Sequence, residues 1–164
     1  LRAYPKLAAQ YARHPKLRDR YVARKQPDAW FKTIDKVNHA LLAQPKLVLQ
    51  DMKAQITPVY EDGGHYPHHN LYWITAPTWD LKVLGGLLLS SVAQSFIEAY
   101  CVRMRGGTLR FQSQYLRKIR VPEPSSIGPE LAAELADAFE RGDREAVNRA
   151  ALRAYGLEAD NVAA

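Results

Sequence analysis

The chain is poor in the residues that would announce most enzymatic chemistries. It has one cysteine, Cys101, which excludes an internal disulfide framework and leads us to expect a cytoplasmic protein. It has no Pro-Pro pair and no glycine-rich loop followed by lysine, so a phosphate-cradling loop is missing. The most apolar run, Val83 to Leu89, is too short to span a bilayer or to serve as a signal peptide core, and Lys82, Gln94 and Glu98 flank it; no membrane partner is expected. Methionine occurs only at Met52 and Met104, and with Leu1 in first position we expect a fragment of a longer protein.

What is present is a soluble-type composition, 47% hydrophobic and 24% charged over 164 residues, enough for one domain with a core of its own. Its net charge of +6 is uneven. Residues 1–122 hold 19 Lys/Arg against 8 Asp/Glu, and residues 123–164 hold 4 against 9. A basic body with an acidic end points to a polyanionic partner for the body, although an uneven solvated surface would give the same count.

The pattern along the chain predicts an α+β fold with a small mixed or antiparallel sheet, a long central amphipathic helix, and helical extensions at both ends. We divide it into a basic helical segment (1–44), an α+β core (45–122), and a linker with two helices (123–164). Tyr4 to Lys25 reads as helix opened by Pro5 and interrupted near His14 by Pro15, and the first 25 residues carry eight Lys/Arg and one Asp. Trp30 and Phe31 read as anchors. Strands are expected at Leu47–Leu49, at Ile56–Tyr60 on an edge because of Pro58, and at Asn70–Thr75. The central helix should be capped by Thr78, carry the stripe Leu84, Leu88, Val92, Phe96 and Ala99, and end near Gly106-Gly107. A helix from Pro129 to Gly142, then one capped by Asp143 and closed by Gly156, complete the chain.

Several catalytic readings fail on the residues. Gly85-Gly86 lies inside a predicted helix and not in the strand-to-helix turn a dinucleotide-type or methyl-donor site needs. Asp51-Met52-Lys53 could supply the acid-x-Lys part of a metal-dependent nuclease, but further acidic ligands are wanting. His65, His68 and His69 invite a zinc site, yet no cysteine lies nearby and ligand spacing is wrong. No metal or cofactor is therefore expected in this chain.

The richest segment runs from Arg103 to Arg120 and holds six Lys/Arg, no acid, two glutamines and two aromatics. Arginine can pair bidentately with phosphate or guanine, and glutamine with adenine. Arg103, Arg105, Arg110, Arg117 and Lys118 are the candidates for phosphate and groove contacts. Gln112 and Gln114 either read bases or satisfy backbone groups. His65, His68, His69 and Asn70, on a loop bearing Gly63-Gly64, are further candidate readers. Phe111, Tyr115, Leu116 and Ile119 read as inward-facing.

At these residues a resemblance emerges. Pro45 to Asp51, Tyr60 to Ile74, Leu84 to Tyr100, and above all Arg105-Gly-Gly-Thr-Leu-Arg-Phe-Gln-Ser-Gln-Tyr-Leu-Arg-Lys-Ile-Arg-Val-Pro122 resemble the TaqI-like C-terminal specificity domain of type II and type IIG adenine-N6 DNA methyltransferases. The closing Tyr155-Gly-Leu157 is similar to the end of many such enzymes. The resemblance implies a duplex-DNA partner, a methyltransferase domain preceding this one in the same parent chain, and S-adenosylmethionine as that parent's cofactor. Every catalytic and cofactor motif of the family, including its Pro-Pro-aromatic element, is missing here, so only recognition carries over. A protein-interaction module of a restriction-modification complex is the main rival reading, and a nuclease the lesser one.

Overall fold

The computed structural model describes residues 2–32 and 38–157, and the chain falls into two compact units, 1–39 and 40–164. In the first, proline sets the breaks. Pro5 opens α1 (Pro5–Ala12), and Pro15 forces a 3-10 turn over Pro15–Asp19 before the short α2 (Tyr21–Lys25). Each proline fixes φ and withholds an N–H, so each sits where a helix starts. Arg20 then ties the unit together. Its Nε donates to the Leu17 carbonyl at 3.1 Å, and its Nη2 to the Trp30 and Lys32 carbonyls at 2.7 and 3.3 Å. Arg18 lies 4.3 Å from the centre of the Trp30 ring, which Tyr11 meets edge-on. Part of this segment's positive charge is thus used internally, and Trp30 is the anchor its sequence suggests.

The second unit is α+β. After α3 (His39–Ala43), β1 (Lys46–Gln50) forms the middle of an antiparallel sheet, flanked by β3 (Val59–Glu61) and β4 (Leu71–Ile74). Leu47 stands opposite Tyr60 and Ile74, and Leu49 opposite Tyr72. These alternate positions face the core, where Leu47 and Leu49 are fully buried. The segment just before β3 belongs to the core as well, since Ile56 is buried without being in a strand. A second antiparallel sheet, unforeseen from sequence, joins β2 (Met52–Lys53), β6 (Leu109–Arg110) and β5 (Val102–Arg103) in that order. Strands of two residues leave almost no period to read.

The expected long helix is instead two, α4 (Leu81–Leu89) and α5 (Ser91–Tyr100), bent by 63° at Ser90. Ser90 is buried, and it serves both helices. Its hydroxyl donates to the Leu87 carbonyl at 2.6 Å and accepts from the Ala93 amide at 3.3 Å. Asn148 adds to the break by accepting from the Ser91 amide at 2.7 Å. The break rotates the apolar stripe, so that Ala93 and Ile97 are buried, and not Val92, Phe96 and Ala99. The cap is Asp80 and not Thr78; its carboxylate accepts from the Lys82 and Val83 amides. The helix ends at Cys101, whose extended backbone leads into β5, so Gly106-Gly107 are not its terminus. No single described helix is long and apolar enough to cross a membrane.

α4 is buried on nearly every side, as a helix at the centre of a domain must be. The first sheet, α7 (Pro129–Arg141) and α8 (Arg144–Ala154) all pack against it. The glycine pair makes this approach possible. A methyl group on Gly85 would lie 2.6 Å from the Phe139 ring, and one on Gly86 3.0 Å from the Leu135 carbonyl oxygen. α8 is tied back by Tyr155, whose hydroxyl, pushed up to about 12 by burial, donates to the Arg120 carbonyl at 2.7 Å.

Gly85→Val should lower stability by about 1–3 kcal/mol through overpacking, measured as a shifted denaturation midpoint. Combining it with Phe139→Leu, which withdraws the ring, should recover part of the loss.

Candidate nucleic-acid interface

The basic segment 103–120 folds into a hairpin and a short helix. β5 and β6 pair antiparallel, with Arg103 opposite Leu109 and Val102 opposite Arg110. The connection is a tight turn. The Met104 amide donates to the Thr108 carbonyl at 2.7 Å, and the Gly107 amide to the Met104 carbonyl at 3.2 Å. Gly106 and Gly107 have φ of 91° and 82°, a backbone region closed to most residues. A methyl group built on either would meet nothing within 4 Å, so the tip stands clear of its surroundings. Leu109 is buried and fastens the hairpin to the core, while residues 102–107 are exposed.

Arg103, in β5, and Arg105, at the tip, are exposed, and neither makes an ion pair with a described carboxylate. α6 (Ser113–Leu116) follows Gln112 and ends in Arg117, also exposed and without an ion pair to a described residue. Lys118 sits with its Nζ 4.6 Å from the centre of the Tyr100 ring. Gln114 donates to the Gln112 Oε1 at 3.1 Å, and the Gln112 carbonyl accepts from the Tyr115 and Leu116 amides, so Gln112 shapes the start of α6. Phe111 is fully buried, and Tyr115, Leu116 and Ile119 pack partly buried against the same core.

Arg110 is different. Its Nε lies 3.8 Å from Asp51 Oδ2, an ion pair with both side chains partly exposed. Asp51 itself is fixed at the joint between the two sheets. Its amide donates to the Asn70 carbonyl at 2.9 Å, and its carbonyl accepts from the Phe111 amide at 2.7 Å. Burial first, then the nearby Asp51 carboxylate, raise the Tyr72 hydroxyl above its usual pKa. Asp51 therefore brings Asn70, at the end of the histidine loop, beside Arg110, at the base of the hairpin. Sequence reading considered Asp51 only as a nuclease acid. Among the described residues no three His, Cys, Asp or Glu side chains gather as a metal site.

The histidine loop is organised from its other end by Glu61. Glu61 pairs with the fully buried Lys46, and its Oε1 accepts from the Gly63 and His65 amides at 3.2 Å and meets His65 Nδ1 at 3.0 Å. His65 is thus partly structural, although its ring is largely in solvent. His68 and His69 are exposed, with ring centres 4.0 Å apart. Lys46 and Glu61 escaped the sequence reading because a pair 15 residues apart has no local signature.

The glycine pair of α4 does not fit a methyl-donor site, because Phe139 and Leu135 fill the space before it. A cleft of about 710 Å³ is lined by residues including Tyr60, Trp79 and Lys82.

The Lys46 ammonium, outweighing the opposing effect of desolvation, and then His65 hold the Glu61 carboxyl at about 2, below its ordinary 4.5. A depressed carboxyl stabilises the fold fully above its unfolded pKa and progressively less as pH falls toward the folded one. Melting temperature should therefore decline between about pH 4.5 and 2. Glu61→Gln should melt lower at neutral pH and lose less across that window, as followed by circular dichroism.

No family model matches the chain. It is 49% identical over 158 residues to a Type II methyltransferase, M.XhoI, of Xanthomonas vasicola, a match covering 96% of this chain and 29% of that protein. It is 45% identical over 155 residues to the Type II methyltransferase M.PaeR7I of Pseudomonas aeruginosa, covering 94% and 27%. With the Type II methyltransferase M.BstVI of Geobacillus stearothermophilus it shares 44% over 135 residues, covering 82% and 24%. The chain thus spans 24–29% of the length of the curated relatives it matches.

Proposed function

We propose that this chain is the DNA-recognition part of a type II methyltransferase, a TaqI-like C-terminal specificity domain that grips duplex DNA for a catalytic domain elsewhere in the parent. The parent would methylate adenine N6 using S-adenosylmethionine, and the methyl transfer itself lies outside these residues. The observation that carries the reading is the free-standing hairpin tip with its neighbours. Arg103, Arg105 and Arg117 are exposed and unpaired with described carboxylates, on a scaffold fastened by Leu109 and Phe111. Unpaired guanidinium groups on a rigid support suit phosphate contact, which positions a protein on duplex DNA. A two-stranded ribbon also fits the major groove. Long matches to Type II methyltransferases support the parent's identity. The histidine loop, joined to the hairpin through Asp51, is the second contact, with His65, His68, His69 and Asn70 beside the groove.

The chain should bind duplex DNA with an affinity that falls steeply as salt rises, because each neutralised phosphate releases counterions. Replacing Arg103, Arg105 and Arg117 together by alanine should flatten the slope of log K against log salt by about 0.9 per lost contact, with the melting temperature unchanged. An affinity indifferent to salt in the unaltered chain would remove the proposal.

A further inference from the structure

We infer that Arg110 reads a base, setting its guanidinium fork against the major-groove edge of a guanine, with Asp51 as its positioning residue and Met52 and Val102 as apolar flanks. The inference rests on the DNA-recognition reading above and separates a base reader from the phosphate contacts around it.

Three observations converge on this residue. The first is orientation. Asp51 Oδ2 lies 3.8 Å from Arg110 Nε, an ion-pair contact and not a hydrogen bond, which draws the Nε side of the guanidinium toward Asp51. The two terminal amino groups make no hydrogen bond among the described residues. Asp51 cannot easily drift, since backbone hydrogen bonds to Asn70 and Phe111 hold it where the two sheets meet. Base discrimination favours a side chain biased toward one orientation by a fixed counter-charge, whereas a phosphate accepts a mobile cation from many directions. Arg103, Arg105 and Arg117 have no such counter-charge among the described residues.

The second is charge. With a carboxylate beside it, Arg110 offers less net attraction to a phosphate, and the carboxylate itself repels one. The neutral acceptors O6 and N7 of guanine incur no such repulsion and match the two free amino groups of the fork.

The third is the company Arg110 keeps. β6 lies between β2 and β5, and in register Arg110 stands directly opposite Met52 on one side and Val102 on the other. Directly opposed residues share a face of the sheet. That face is open: Met52 is 52% exposed, Val102 49%, and the Arg110 side chain 46%. Apolar groups beside a phosphate would lose nothing to water and gain no partner. Beside a base edge they can pack on the 5-methyl group of thymine.

The test is fluorescence anisotropy of the whole chain with two duplex pools of random sequence, one carrying guanine and one carrying 7-deazaguanine, which lacks the N7 acceptor. The chain should prefer the guanine pool by on the order of tenfold. Arg110→Ala and Arg110→Lys should erase that preference, the lysine variant because a point charge cannot replace a fork. Asp51→Asn should shrink the preference while low-salt affinity for the 7-deazaguanine pool stays or rises, with melting temperatures recorded to show that all variants are folded. A preference that survives Arg110→Ala overturns the assignment, and so does an equal loss of affinity for both pools, the mark of a phosphate contact. Equal binding of both pools by the unaltered chain overturns it too, and leaves DNA recognition standing. Failure to bind either pool overturns both readings.

Discussion

Asp51 is the residue on which the geometry of the candidate interface depends. It interrupts what would otherwise be a single strand from Lys46 to Lys53, and its two backbone hydrogen bonds splice the first sheet to the second. That splice works with the buried Leu109 and Phe111 and the β2–β6 pairing to fix the hairpin 102–110, and it ties the end of the histidine loop at Asn70 to it. The side chain of the same residue then meets Arg110. One aspartate thus couples a fold problem, where two short sheets join, to the placement of the Arg110 guanidinium in the proposed interface.

The rest of the second unit makes that joint rigid. α4 is the buried axis, and its two glycines let α7 approach closely enough for Phe139 and Leu135 to close the core. Ser90 turns the chain by 63° so that α5 can present Ile97 to the core and deliver Cys101 to the start of β5. Glu61 performs a similar service for the histidine loop, using the buried Lys46 as counter-charge. Polar residues here define corners and loop ends, and the apolar core holds those corners fixed.

Much of this was legible in the sequence where local chemistry dictates structure. Pro15 broke the first helix, Pro129 and Gly142 bounded α7, and Asp143 capped α8, because caps and prolines act on their immediate neighbours. The α+β class followed from the same patterns. The break at Ser90 was hidden because an apolar stripe runs on through a serine that looks like any helical serine, and only Asn148, 57 residues away, completes the cap. The second sheet was hidden because strands of two residues show no alternation. The basic segment was conspicuous by composition, but composition treats its arginines as equals. The Asp51 ion pair and the register of β2, β6 and β5 distinguish Arg110 from Arg103 and Arg105.

Backbone amide exchange with and without a short duplex tests the central claim most directly. The account predicts added protection across residues 102–110 and in the loop from His65 to Asn70, with α7 and α8 unchanged. Protection confined to α7 and α8, with the hairpin exchanging as freely as before, would contradict it.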